Sequence, residues 1–162
     1  MILGMSLAAF TILHVVISLL GIASGLGVLG AMLVSQNHGG LTAFFLFTTV
    51  LTSVTGFFFP FVKLLPSHIT GFISLAVLAV ALWALYGMQL AGPWRWIWVV
   101  TAVLALYLNC FVLVVQLFLK IPALNALAPT QKEPPFLVAQ IAVLAVFFWL
   151  GAQAVRTFHP AA

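Results

Sequence analysis

Charge is what this sequence has least of. Its 162 residues include five Lys or Arg, one glutamate (Glu133) and no aspartate, so that 4% are charged and 65% are hydrophobic. A soluble domain covers itself with roughly 25% charged residues. This chain cannot make a water-facing surface of that kind, and its outer surface must meet hydrocarbon instead.

The same scarcity excludes whole classes of function. The net charge of +4 is made of cations spread singly along the chain, whereas binding a phosphate backbone needs clustered Lys or Arg. No nucleic-acid partner is expected; the cations belong at membrane surfaces, among lipid headgroups. The lone acid lies in a polar connector, so no carboxylate orients a histidine base within the apolar runs, and nucleophilic catalysis finds no support. A phosphate-cradling Gly-rich loop ending in Lys-Ser/Thr is missing as well. The chain is read as a non-enzyme. One cysteine, Cys110, sits in an apolar run; it offers no intramolecular disulfide and reads as a small buried hydrophobe.

What the sequence has in abundance is long apolar runs. A spanning helix needs about 20 apolar residues, and five runs reach that scale, at about 7–34, 41–61, 67–88, 94–119 and 136–156. The first lacks the basic start of a secretory signal and reads as a retained helix with an interfacial beginning. Breaks fall at Ser35 to Gly40, at Pro60, Lys63 and Pro66, at Gly92 and Pro93, and along the connector from Ile121 to Pro135. Ser67 is the expected N-cap of the third helix. No run alternates with period two, so a β-barrel is not expected. The predicted fold is all-α: a single domain over 1–162, an integral membrane bundle of about five transmembrane helices.

Five spans put the termini on opposite sides. Lys63, Lys120 and Lys132 then share the N-terminal side with the terminal amine, and Arg95 and Arg156 lie opposite. The positive-inside bias places the N-terminus in the cytoplasm. Trp94, Trp96 and Trp98 flank Arg95 as an interfacial aromatic belt would.

Several polar residues interrupt the apolar runs. His14, Ser18, Gly21 and Gly25 recur at helical spacing and share one face of the first helix. Small residues so placed let a second helix approach closely in lipid, which makes this the expected packing face and turns His14 inward. Counting depth puts His14 and His68 at a similar level near the N-terminal-side interface, with Gln116 and Gln140 close to it. Four polar side chains from four helices are therefore candidates for one site. Two imidazoles suit axial ligation of a b-type haem or a share in a metal site, and His and Gln donors suit a quinone carbonyl. The plainer reading is that they meet water, headgroups or backbone carbonyls. His38 and His159 lie on the opposite side and read as surface histidines. Asn109, midway along the fourth helix, is expected to hydrogen-bond across helices. The hydroxyls of Thr52, Ser53 and Thr55 are expected to bond backbone carbonyls of their own helix.

The stretches at 13–19 (LHVVISL), 52–60 (TSVTGFFFP), 68–75 (HITGFISL), 102–109 (AVLALYLN), 128–131 (APTQ) and 134–136 (PPF) together resemble an uncharacterised group of small bacterial inner-membrane proteins. The resemblance covers most of the chain and implies a bacterial inner-membrane location, without an assigned activity. A helix opening with histidine and a later one opening with His-x-x-Gly is more loosely similar to small predicted haem-binding membrane families. Three functional expectations result. The first is a non-enzymatic accessory subunit or small binding protein, whose partner is the bilayer together with another membrane protein or a second copy. The second is an electron carrier with haem on His14 and His68, and the third is a carrier of a small apolar or weakly polar molecule.

Overall fold

The computed structural model describes residues 2–59 and 66–160. These form α1 (Leu7–Leu33), α2 (Gly39–Gly56), α3 (Pro66–Leu82) extended by a π-turn (Trp83–Gly87), α4 (Trp94–Lys120), α5 (Pro122–Leu127) and α6 (Pro134–Thr157). No strand occurs among the described residues, and five of the helical segments are long and apolar enough to cross a membrane. The fold is the all-α bundle of a multi-pass membrane protein. Helices satisfy their backbone groups internally, which is what hydrocarbon demands of a spanning segment.

Local sequence sets the helix ends. Residues 2–5 make a tight turn, with Leu3 and Gly4 at positive φ, and Ser6 then caps α1 by accepting the Ala9 N–H at 3.2 Å. The helix therefore begins only at Leu7. Ser35 at φ 56° turns the chain after α1, and α2 starts at Gly39. The second apolar run extends to about Phe61, but α2 stops at Gly56 and Phe57–Phe59 leave the helix. Glycine weakens a helix end, and the residue before a proline disfavours the α conformation; Gly56 and Pro60 outweigh the apolarity between them. Pro60 and Lys63, where a turn was expected, lie outside the described residues. α3 opens at Pro66, so Ser67 stands inside its first turn and not at its cap; proline suits that first position because its missing N–H would have no partner. The same preference starts α5 at Pro122 and α6 at Pro134. α5 is a helix that the connector's proline and polar residues concealed.

Helices α1, α2, α3 and α4 pack in a ring, each against the next, and α4 closes it against α1. α6 sits outside this ring in the groove between α4 and α1. α4 carries the core: Trp98, Val99, Ala102, Val103, Ala105 and Leu106 are all buried. The α1 face that packs against α2 and α4 is the glycine face. A Cβ on Gly25 would lie 2.6 Å from Leu106 Cδ1 and 2.7 Å from Phe45 Cε2, so only glycine fits there.

The far end of the bundle is tied by its tail. Arg95 of α4 donates to the carbonyls of Val155 and Phe158, the Thr157 hydroxyl donates to Met32 O, and the His159 N–H donates to Ser35 Oγ. Phe158 is thereby buried, closing over the ends of α1 and α4. Arg95 was expected only as an interfacial cation; its guanidinium also satisfies carbonyls at the C-terminal end of α6, which no helix hydrogen bond reaches.

Candidate functional site

Two polar regions occupy the bundle, one at the near end, where α1 starts, and one at mid-depth. At the near end α2 finishes between α1 and α3. His14 on α1 reaches α2, its Nδ1 lying 2.8 Å from Thr55 Oγ1. The Thr55 hydroxyl also donates to Leu51 O and Thr52 O. Phe59 packs edge-on to the His14 ring at 5.2 Å between centroids, and Phe10 joins Phe58 and Phe59 in the same aromatic group. His14 is half-buried; the short Thr55 contact fixes its ring.

His68, near the start of α3, is buried and faces the other side of α2's end, its ring 6.2 Å from that of Phe57. Phe57 also packs on Phe72 and against Gly71. The two histidines thus share a height, but each has its own partner at the C-terminal end of α2, and α1 and α3 are not a principal packed pair. Among the described residues no group of three His, Cys, Asp or Glu is placed to hold a metal ion.

The glutamines belong to the opposite side of the ring. Gln140 of α6 donates to Phe111 O of α4 at 3.2 Å and leaves its own Oε1 buried and unpaired. Gln116 is half-buried on α4. One residue before it, Val115 O accepts from Gln131 of the connector. That connector is braced by Glu133, whose carboxylate accepts the Thr130 hydroxyl and the N–H groups of Thr130 and Lys132. The Thr130 hydroxyl first, then these backbone donors, hold the carboxyl below its usual range.

The mid-depth region centres on Gly21. Thr48 Oγ1, Thr49 Oγ1 and Asn109 Nδ2 lie 3.3, 3.4 and 3.6 Å from the position a Gly21 Cβ would take. Thr48 donates to Phe44 O and Phe45 O, but Thr49 Oγ1, Thr52 Oγ1 and Asn109 Nδ2 are buried without a hydrogen-bond partner. Two expectations are corrected here. Thr52 does not bond its own helix, and the amide nitrogen of Asn109 does not bond across helices. Ser53 does bond a backbone carbonyl, that of Thr49, and its hydroxyl also bridges to Ser74 of α3 at 3.0 Å. Thr49, fully buried and unpaired, was not singled out from sequence, where it resembled any other hydroxyl able to bond its own helix.

Chemically, these residues can donate and accept hydrogen bonds. Comparison with known proteins finds no matching family model, no matching curated protein and no matching solved structure.

Proposed function

We propose that this protein is a non-enzymatic accessory subunit or small binding protein of a bacterial inner membrane, acting through the lateral face of α6. One observation carries the reading, the position of Trp149. Its side chain is 61% exposed, beside Phe148 at 78%. Trp149 lies eight residues before the end of α6, about 12 Å along the helix at 1.5 Å per residue. Tryptophan on a lipid-facing surface gathers at the membrane boundary, where its indole N–H finds an acceptor. At this depth hydrocarbon offers none, and a partner helix does.

The rest of the outer face agrees with a lateral contact. Leu137, Val138, Ile141 and Leu144 continue the same exposed surface, and α6 itself buries only Phe147 and Ala154. Of the spanning helices it is the least covered by its own chain. The partner is another membrane protein or a second copy. The N-terminus is assigned to the cytoplasm, supported by three lysines that the sequence puts on its side, Lys63, Lys120 and Lys132, against Arg95 and Arg156 on the other.

A photo-crosslinking amino acid at Phe148, introduced in native membranes, tests the reading. It forecasts one discrete protein adduct that Trp149→Ala weakens; adducts to lipid alone would remove it. The electron-carrier reading of His14 and His68 forecasts something different, a Soret band in the purified protein that is lost on His14→Ala or His68→Ala.

A further inference from the structure

We propose that water enters the bundle from the near face along the seam between α1 and α2 and stops at Asn109, so that the seam is a blind, single-file polar inlet. The register of the two antiparallel helices is fixed by three contacts: His14 with Thr55, Gly21 with Thr48 and Thr49, and Gly25 with Phe45. The same register sets Ser18 opposite Thr52. The residues meeting along the near half of the seam are then His14 and Thr55, Ser18 and Thr52, and Gly21 with Thr48, Thr49 and Asn109. All are polar or lack a side chain.

The far half differs abruptly. Immediately beyond Gly21 the seam is filled by Phe45 and Leu106, which press on Gly25 at 2.6–2.7 Å from where its Cβ would be. Both are buried, and Val28, Leu29 and Leu46 lie in the same core. The polar track therefore runs from the half-buried His14 to a closed floor.

Unpaired groups lie along this track. Thr52 Oγ1 is at its middle, and Thr49 Oγ1 and Asn109 Nδ2 at its floor; all three are buried without a partner, and Thr49 is fully buried. Threonine hydroxyls ordinarily bond the carbonyl four residues back, as Thr48 and Thr55 do here. Thr49 and Thr52 do not, and among the described residues no other group lies within hydrogen-bonding reach of them. Water supplies what each lacks, since one molecule accepts from Asn109 Nδ2 and Thr49 and donates to the lone pairs of Thr48 Oγ1.

The guest is neutral and of water size. No carboxylate lines the seam, because the only acid in the chain is Glu133 in the connector. Two hydroxyls and one amide fall short of the oxygen ligands a desolvated cation needs. The floor is narrow: a methyl on Gly21 would already sit 3.3 Å from Thr48 Oγ1.

The experiment is cysteine accessibility in the full chain, in lipid, on a Cys110→Ser background. Thr52→Cys and Thr49→Cys are treated with hydrogen peroxide, a neutral thiol oxidant little larger than water, and compared with Ser24→Cys beyond the floor. Reaction from the near side at least about tenfold faster at the first two positions is expected, since thiol reactivity follows access to water. Adding Gly21→Val to the Thr49→Cys variant closes the floor and slows that reaction, leaving Thr52→Cys unchanged. Water-to-protein magnetisation transfer in solid-state NMR of the unmodified protein gives a reading that needs no substitution, with transfer expected at Thr49, Thr52 and Gly21. Equal protection of Thr49→Cys, Thr52→Cys and Ser24→Cys, or magnetisation transfer absent at all three sites, overturns the proposal.

Discussion

Replacing Gly25 by alanine places a methyl 2.6 Å from Leu106 Cδ1 and 2.7 and 2.9 Å from two Phe45 ring carbons. Carbon atoms rest at about 3.5–4.0 Å, so each contact is too short by roughly 1 Å. Relief by a rotamer change is blocked, because Leu106 and Phe45 are both 1% exposed and each is packed into the shared core. The helices must separate, at a cost of about 1–3 kcal/mol for an overpacked core position. For a chain of this size about 2 kcal/mol corresponds to a fall in Tm of roughly 4–8 °C. Gly30→Ala is the matched control. It lies on the same helix, makes the same gain in helix propensity, and has open space where its methyl would go. Thermal unfolding of both variants in one detergent, followed by far-UV circular dichroism, isolates the clash from the propensity. Equal Tm values for Gly25→Ala and Gly30→Ala would refute the packing of α1 on α2 and α4 described above.

Further outcomes are expected elsewhere. Thr55→Val removes the partner of His14 Nδ1 and should lower stability by about 0.6–2 kcal/mol, with Thr55→Ser retaining most of it in the same unfolding assay. Arg95→Ala releases the carbonyls of Val155 and Phe158, a loss of about 1.5–3 kcal/mol for hydrogen bonds from a charged group, visible as faster amide exchange in the last turn of α6. Ser53→Ala and Ser74→Ala, which share one hydrogen bond, should be less than additive in a double-mutant cycle. Glu133 is held below its usual pKa by Thr130 and backbone donors. Its bracing of the connector is therefore complete above the ordinary carboxylate range and lost as pH falls through its lowered value. Protection of the Thr130 and Lys132 amides, relative to the intrinsic exchange rate at each pH, should fall in acid and stay constant in base.

The five spans were legible because their signal is one-dimensional: hydropathy over about 20 residues needs no knowledge of neighbours. The spacing of Gly21 and Gly25 was legible for a related reason, since helical period alone puts them on one face, and both are buried against α2 and α4. What sequence did not give is direction around the bundle. Depth counting set His14 and His68 at one height, but the partner each ring meets, Thr55 or Phe57, depends on which helices are neighbours. The orphaned hydroxyls of Thr49 and Thr52 were invisible for the same reason, as local rules assign every helical threonine a carbonyl four residues back. α2 ended early because Gly56 and Pro60 act on the backbone, to which hydropathy is blind.

Sided labelling tests the membrane-spanning bundle most directly. On a Cys110→Ser background, Asn37→Cys lies between α1 and α2 and Lys132→Cys between α5 and α6, at opposite ends of the bundle. In sealed vesicles a membrane-impermeant thiol reagent should label one of them from outside and the other only after the vesicles are opened. Labelling of both from the same side would contradict an odd number of crossings between those points.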